Sequence, residues 1–189
     1  MSQPKVVVVL APGFEEIEAV TPIDVLRRAG VEVTVAGVDP TPDPLRVEGS
    51  HGITLQVDTA IEDVRADGVA AVVLPGGMPG STNLGASAPV QELVRKVHAA
   101  GGRVAAICAA PAVALARSPA LAGRRATCYP GFESRFPPGV EHAGERVVTD
   151  GALTTSRGPG TALEFALVLV EQLVSPARAE ELRRGLLAR

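Results

Sequence analysis

Three short apolar runs constrain the fold of this 189-residue chain more than any other feature. Residues 6–10, 69–74 and 104–107 are apolar throughout, with no alternation of polar and apolar side chains. Continuous apolarity is typical of central strands in a parallel sheet, because helices cover both faces of such a sheet. The alternation of strand and helix patterns therefore predicts an α/β fold with a doubly wound, mostly parallel sheet sandwiched by helices. We expect one domain over residues 1–189.

The remaining segments fit this architecture. We predict a strand at 31–36, another at 125–128, a hairpin of strands 45–48 and 53–57, and a second hairpin, 146–149 with 153–155, that turns at Asp150-Gly151. The predicted helices cover 15–29, 81–85, 88–100, 111–117, a stretch ending at Val174, and 176–187. In the first helix Ile17, Val20, Val25 and Leu26 are available for the core. Pro22 predicts a kink or a restart near Thr21.

Composition and charge argue against several classes of protein. The net charge of −3, with no basic stripe, argues against nucleic-acid binding. No apolar run is long enough to span a bilayer, and residues 6–10 are too few for a secretory signal. With only two cysteines and no signal, we expect a reducing, cytoplasmic location. The cysteines and the three histidines lack metal-site spacing, so no metal is predicted.

Cys108 is the strongest candidate for a functional residue. It stands between the apolar run 104–107 and a helix whose first turn accepts Pro111, which has no N–H to lose there. Free N–H groups and the positive end of a helix dipole favour the thiolate at such a position. This is the thiol counterpart of a nucleophile elbow. However, most free cysteines are inert buried side chains, so a structural role stays open from this stretch alone.

Two further segments follow strand ends and are expected at the same edge of the sheet. Ligands of parallel sheets bind beyond the carboxyl ends of the strands. The turn after Leu10 and the Gly76-Gly77 pair after Leu74 meet that condition together with Cys108. Glycine lets backbone N–H groups approach a ligand closely, so the pair predicts an oxyanion hole with the N–H after Cys108. A plain turn is the alternative reading of Gly76-Gly77.

Three glutamates lie behind the first of these turns. Glu15, Glu16 and Glu18 either complement the helix dipole on a solvated face or place one carboxyl beside the thiol. Glu18 is the best candidate because it lies one turn into the helix, although periodicity alone leaves the choice open. A buried carboxyl beside a thiolate would have a raised pKa and could act as general acid and base.

The chain resembles the ThiJ/PfpI superfamily, in its DJ-one branch and near the bacterial YajL-like members. The similarity covers nearly the whole chain in order and is loosest at 37–68 and 131–145. Five motifs carry it: Ala11-Pro-Gly-Phe-Glu-Glu-Ile-Glu-Ala-Val20, Asp24-Val-Leu-Arg-Arg-Ala-Gly30, Val73-Leu-Pro-Gly-Gly77, Ala105-Ala-Ile-Cys-Ala-Ala-Pro111 and Thr155-Ser-Arg-Gly-Pro-Gly-Thr161.

The resemblance implies a flavodoxin-like fold, a homodimer and a site that needs no cofactor. It makes Cys108 the reactive cysteine and selects Glu18 as the carboxyl that hydrogen-bonds it. Gly77 and Ala109 match the oxyanion-hole positions, while Asp24 and Arg28 match positions near the dimer interface and pocket rim. Members of the superfamily act as glyoxalases or deglycases, as oxidative-stress sensors or as chaperones.

Three further positions bear on the chemistry of the predicted site. Many members place a histidine beside the cysteine where this chain has Tyr129, and a phenol of pKa near 10 cannot replace an imidazole base. We therefore expect chemistry on methylglyoxal, glyoxal or glycated adducts rather than peptide hydrolysis. Cys128 is either a second pocket thiol or a buried strand residue. Arg157 could bind a carboxylate or cap a carbonyl, and we favour the structural role.

Overall fold

The computed structural model describes residues 3–42 and 44–188, so residues 1, 2, 43 and 189 of the predicted domain lie outside it. The strands are β1 (Lys5–Leu10), β2 (Glu32–Gly37), β3 (Arg46–Glu48), β4 (Thr54–Gln56), β5 (Thr59–Ala60), β6 (Val69–Leu74), β7 (Arg103–Ile107), β8 (Arg125–Ala126), β9 (Glu141–His142), β10 (Val147–Asp150) and β11 (Leu153–Ser156). The helices are α1 (Glu16–Arg28), α2 (Gly80–Ala86), α3 (Ala88–Ala99), α4 (Ala110–Val113), α5 (Ala162–Leu173) and α6 (Pro176–Gly185).

The central sheet has the strand order β10-β11-β7-β6-β1-β2-β5 within the described residues. Its strands pair in parallel except for β10, which runs antiparallel to β11 in the second predicted hairpin. The first predicted hairpin is the separate β3–β4 pair. Because β1, β6 and β7 are neighbours, their carboxyl ends lie side by side, and the segments that follow them meet at one edge.

Helices cover both faces of the sheet, as the continuous apolar runs predict. Along β1, Val6, Val8 and Leu10 pack into one cluster with side chains of α1 and α5, including Leu26 and Phe165. Val7 and Val9 point the other way, into a second cluster with α3. The single-domain α/β sandwich is therefore confirmed. No helix in the described part of the chain is long and apolar enough to cross a membrane.

The first helix is continuous through Pro22, which is buried, so of the predicted kink or restart the restart does not occur. Its core face differs from the prediction. Ile17 and Val20 are 55% and 44% exposed rather than in the core, while Val25 and Leu26 are buried as predicted. The buried face of α1 instead includes Glu18 and Ala19. Glu18 can be buried because its carboxyl accepts a hydrogen bond from the Gly76 N–H inside the fold.

Two elements near Cys108 are shorter than predicted. The helix after Cys108 is the four-residue α4, not a helix to Arg117. The strand expected over 125–128 ends at Ala126 and pairs in parallel with β9 in a small separate sheet. Both differences place more irregular backbone around the thiol than sequence periodicity indicates.

Candidate active site

Cys108 ends β7 in a strained backbone conformation. Its φ of 64° lies in the left-handed region, which residues with a side chain seldom occupy outside functional turns. Two hydrogen bonds hold it there: the Cys108 N–H donates to the Ser156 carbonyl at 2.9 Å, and the Tyr129 N–H donates to the Cys108 carbonyl at 2.8 Å. The residue is 9% exposed. The thiol is thus fixed at the sheet edge by β11 and by the segment after β8.

Glu18 reaches the thiol from α1. The residue is completely buried, and its Oε2 accepts a hydrogen bond from the Gly76 N–H at 2.9 Å. Its Oε1 has no nitrogen or oxygen partner among the described residues. The interaction between this carboxyl and Cys108 affects the pKa of both groups. The structure therefore brings together the two residues for which the sequence predicts catalysis.

The Gly76-Gly77 turn makes this approach sterically feasible. A Cβ on Gly76 would lie 2.4 Å from Oε2 of Glu18 and 2.5 Å from the Cys108 Cβ, so only glycine leaves room for the pair. Gly77 has a φ of +88° and packs against the backbone of the β1–α1 turn. The N–H groups of Gly77 and Ala109 hydrogen-bond the thiol and lower its pKa. Two backbone donors therefore converge on the sulfur of Cys108.

Burial dominates the protonation of Glu18. It raises the pKa of this carboxyl to about 8, and the nearby charge of Glu15 adds to the rise, while hydrogen bonds to Cys108 and Gly76 oppose it. A raised pKa is what the sequence predicts for a buried carboxyl at this position. Glu18 accordingly carries a proton over most of the neutral range and can donate it.

The sequence predicts that a helix end favours the ionised form of the thiol, but the pKa of Cys108 is raised instead. Burial, followed by the charge of Glu18, raises the pKa of Cys108, and the Gly77 and Ala109 N–H groups offset this only in part. α4 is too short to supply a strong dipole. Since the Glu18 charge contributes only when that carboxyl is ionised, protonation of Glu18 removes the repulsion. With both pKa values raised, both groups hold their protons at neutral pH, and the nucleophilic form of the pair is the one in which the sulfur has lost its proton while Glu18 keeps its own.

The other two glutamates have structural roles that periodicity could not assign. Glu15 caps α1, where its Oε2 accepts a hydrogen bond from the Glu18 N–H at 2.7 Å. Glu16 accepts bonds from the backbone N–H of His51 at 2.6 Å and from its Nδ1 at 2.7 Å. Burial raises the pKa of Glu16, but these bonds outweigh it and bring the pKa down to about 2. Glu16 thus ties the β3–β4 hairpin to α1.

Glu15, Glu16 and His51 also place ligand atoms within 4.8 Å of one another, and among the described residues this group could hold a metal ion. This group has no metal-site spacing in the sequence, because His51 lies more than 30 residues from the glutamates. Glu16 and His51 already hydrogen-bond each other, so this group supplies no chemistry to Cys108.

Tyr129 and Glu18 both approach Gly158. Its ring is half-exposed and packs edge to face on Phe132, with the ring centroids 6.3 Å apart. A Cβ on Gly158 would lie 3.1 Å from the Tyr129 ring and 3.9 Å from Oε1 of Glu18. A side chain at position 158 would therefore crowd the Tyr129 ring and lie in contact with the Glu18 carboxyl.

Cys128 and Arg157 interact with each other electrostatically, and neither is shown in contact with the Cys108 thiol. Cys128 is fully buried, and burial raises its pKa to about 12, which is typical of an unreactive thiol. The Arg157 Nη1 donates to the Gly144 carbonyl at 3.3 Å, in the capping role that the sequence favours. The charge of Arg157 lowers the pKa of both Cys128 and Glu133.

Asp24 and Arg28 are not brought to the thiol. They pair with each other on the outer side of α1, at 2.8 Å between Oδ2 and Nε, and both are half-exposed. Their predicted place at an interface or pocket rim stays a prediction.

A hydroxyl network supports the backbone of Cys108 from β11, and its residues were not among the predicted site residues. The Ser156 and Thr161 hydroxyls lie 2.6 Å apart, and the Gly158 N–H donates to the Thr161 hydroxyl at 3.1 Å. Ser156 in turn carries the carbonyl that accepts the Cys108 N–H. Both hydroxyls belong to the motif 155–161, so the signal was present, but only the fold shows which backbone they hold.

The fold and site together define a class of parallel-sheet proteins with a cysteine at a strand-to-helix turn and a buried carboxyl beside it. The model for the DJ-1/PfpI family matches residues 4–172, and the chain belongs to this family. It is 43% identical over 181 residues to Protein dj-1beta of Drosophila melanogaster, with 95% of each chain covered. The fold is similar to the crystal structure of Drosophila melanogaster DJ-1beta, with a TM-score of 0.93 and 41% sequence identity, and the alignment covers 100% of both chains.

Two further relatives set the limits of this comparison. The chain is 34% identical over 187 residues to the "Glutathione-independent glyoxalase DJR-1.2" of Caenorhabditis elegans, covering 98% of this chain and 97% of that one. It is 41% identical over 188 residues to Protein DJ-1 homolog B of Arabidopsis thaliana, covering all of this chain but 42% of that protein. These curated relatives are eukaryotic, so the predicted placement near bacterial YajL-like members is not confirmed.

Proposed function

We propose that this protein is a cofactor-independent glyoxalase that converts methylglyoxal or glyoxal into a hydroxy acid. The observation that carries the proposal is the pairing of Cys108 with a buried, proton-holding Glu18. The name of the nematode relative supports the same reaction class. Such a pair offers a sulfur nucleophile and a proton carrier in one water-poor site.

The first step is attack of the Cys108 sulfur on the aldehyde carbon of the substrate. A carbon–sulfur bond forms, the carbonyl π bond breaks, and its oxygen becomes an oxyanion that the Gly77 and Ala109 N–H groups stabilise. The proton of the pair passes from Glu18 to this oxygen, which gives a hemithioacetal. Glu18 is left ionised beside the former aldehyde carbon.

The second step uses Glu18 as a base. It takes the proton from the former aldehyde carbon and passes it to the neighbouring carbonyl oxygen, which gives an enediol. It then takes the proton of the hydroxyl on the first carbon and delivers it to the neighbouring carbon. The first carbon is thereby oxidised to a thioester and the second is reduced to an alcohol, so no external oxidant or reductant is needed. Water then cleaves the thioester and releases lactate from methylglyoxal, or glycolate from glyoxal, with the thiol restored.

A deglycase reaction would use the same pair on an adduct of the dicarbonyl with an amine or thiol. In that case the bond to the amine or thiol breaks when the sulfur takes its place. Peptide hydrolysis is disfavoured, because Tyr129 occupies the position where an imidazole base would be needed and its phenol is a poor base at neutral pH.

The test is lactate formation from methylglyoxal without glutathione. We expect the native protein to form lactate, Cys108→Ala to form none, and Cys128→Ala to retain the activity, because the Cys128 thiol is fully buried and its pKa is raised to about 12. Equal lactate formation by the Cys108→Ala variant would overturn the proposal.

A redox sensor is the second candidate, because the same donors would suit an oxidised sulfur. The N–H groups of Gly77 and Ala109 and a protonated Glu18 could hydrogen-bond the oxygens of a sulfinate at Cys108. Mass spectrometry after mild peroxide treatment separates the candidates. Selective oxidation of Cys108 in a protein that shows no dicarbonyl turnover would favour the sensor.

A further inference from the structure

A cavity of about 740 Å³ lies beside α2, α3 and α4, and neither the thiol nor Glu18 lines it. Its volume is within the range of small-molecule sites in proteins. One wall is formed by α4 and the residues after it, including Val113 and Ala116, and another by Gly85 at the end of α2. A Cβ on Gly85 would lie 3.2 Å from the Val113 carbonyl, so glycine brings these two walls close together.

Positive charge is concentrated at this cavity. Arg95, Arg117 and Arg135 line it, and no carboxylate does. Arg95 is neutralised by Glu92, with contacts of 2.8 and 2.7 Å. In the described part of the chain Arg117 makes no ion pair or side-chain hydrogen bond, and Arg135 rests on the Phe132 ring at 5.0 Å without a carboxylate partner. Two uncompensated guanidinium groups therefore face one cavity in a chain of net charge −3.

A neighbouring cavity shows that this is not a general property of the surface. That cavity, of about 430 Å³, is lined by Arg65 and Lys96, but also by Glu62, Asp67 and Glu92. Its charges are balanced. The charge at Arg117 and Arg135 is left for a ligand to neutralise.

The chemistry of the lining indicates the class of ligand. A guanidinium group matches the oxygens of a phosphate in a bidentate geometry, and its planar face stacks on flat rings. Arg135 already uses one face on Phe132, which leaves the other face for a ring. The apolar walls of Val113, Ala116 and Pro119 favour the same partner.

We propose that this cavity binds a small phosphate ester that carries a flat ring, such as a nucleoside monophosphate. Arg117 binds the phosphate and Arg135 stacks on the ring and shares the charge. The site is separate from the proposed dicarbonyl chemistry, so it is tested by binding and not by turnover.

The test is isothermal titration calorimetry of the full chain with adenosine monophosphate, using ribose 5-phosphate and adenosine as the two partial ligands. We expect the monophosphate to bind, and each partial ligand to bind at least about tenfold more weakly. Arg117→Ala and Arg135→Ala should each raise its Kd by about tenfold or more. Arg65→Ala removes the same charge from the balanced cavity and should leave the Kd unchanged.

Three results would overturn this proposal. The first is no heat of binding with the native protein. The second is a Kd that Arg117→Ala leaves unchanged while circular dichroism shows a native fold. The third is binding of ribose 5-phosphate as tight as that of the monophosphate, which would contradict the role of the ring.

Discussion

At the scale of single residues, Glu18 couples the site to the stability of the fold. Its pKa is about 8 when folded and 4.5 in its ordinary state. Below pH 4.5 the carboxyl is protonated in both states, and no stability is lost. As pH rises towards 8 the unfolded chain releases the proton while the folded chain keeps it, so the free energy of unfolding falls. A functional carboxyl is thus held at a cost to stability.

This gives a first prediction for Glu18→Gln. Between pH 5 and pH 8 the native protein should lose up to several kcal/mol of stability that the glutamine variant does not lose, because an amide has no proton to release. Urea unfolding at three pH values in this window measures both slopes. Parallel slopes for the two proteins would show that Glu18 is ionised in the fold.

The second residue-scale prediction concerns His51. The Glu16 carboxylate stabilises the fold above pH 4.5, and this stability is lost as pH falls towards the folded pKa of about 2. His51→Ala removes one of the bonds that lower this pKa, so the Glu16 pKa should rise, as carboxyl NMR titration would detect. His98→Ala, on the far helix α3, serves as the control. An unchanged titration of Glu16 in His51→Ala would contradict the role of His51.

At the scale of elements, the β6–α2 turn limits what the site can tolerate. Gly76→Ala would force a methyl group into Glu18 and Cys108, so we expect a loss of about 1–3 kcal/mol and a displaced carboxyl. Gly160→Ala is the matched control, since nothing lies within 4 Å of its Cβ position. Urea unfolding and the rate of Cys108 alkylation report both effects. A Gly76→Ala variant that matches Gly160→Ala in both would refute the steric argument.

The strands were predictable from sequence because continuous β-branched runs have few alternatives to a central parallel strand. The meeting of Cys108, Glu18 and Gly76 at one sheet edge was predictable too, because each lies in a segment that follows a parallel strand. The inward face of α1 was not predictable, because it depends on a hydrogen bond from a Gly76 N–H that lies 58 residues away. The length of α4 and the positive φ of Cys108 likewise depend on partners in other elements, Ser156 and Tyr129.

At the scale of the whole molecule, three of the exposed large apolar side chains are grouped. Ile17 and Val20 on α1 and Ile53 before β4 are exposed, and a hydrogen bond from the Ile53 N–H to Glu16 brings the hairpin next to that helix. An exposed apolar face of this kind is typical of an interaction surface. We predict that it is buried in a homodimer.

Sedimentation velocity tests this prediction. Val20→Glu should convert the dimer into a monomer, because it would bury an unpaired charge at the interface. Val174→Glu introduces the same charge at a half-exposed valine at the end of α5 and should leave the dimer intact. A native protein that sediments as a monomer, or a dimer that Val20→Glu does not affect, would contradict the predicted interface.

The central claim is that Cys108 and Glu18 act as one unit on an aldehyde. The most direct test is kcat/KM for methylglyoxal in Glu18→Gln, whose amide keeps the shape of the side chain but cannot carry the proton. We predict a fall of about 10²–10⁴-fold, the usual contribution of general acid–base catalysis, with the fold intact by circular dichroism. A glutamine variant that keeps the native kcat/KM would contradict the claim.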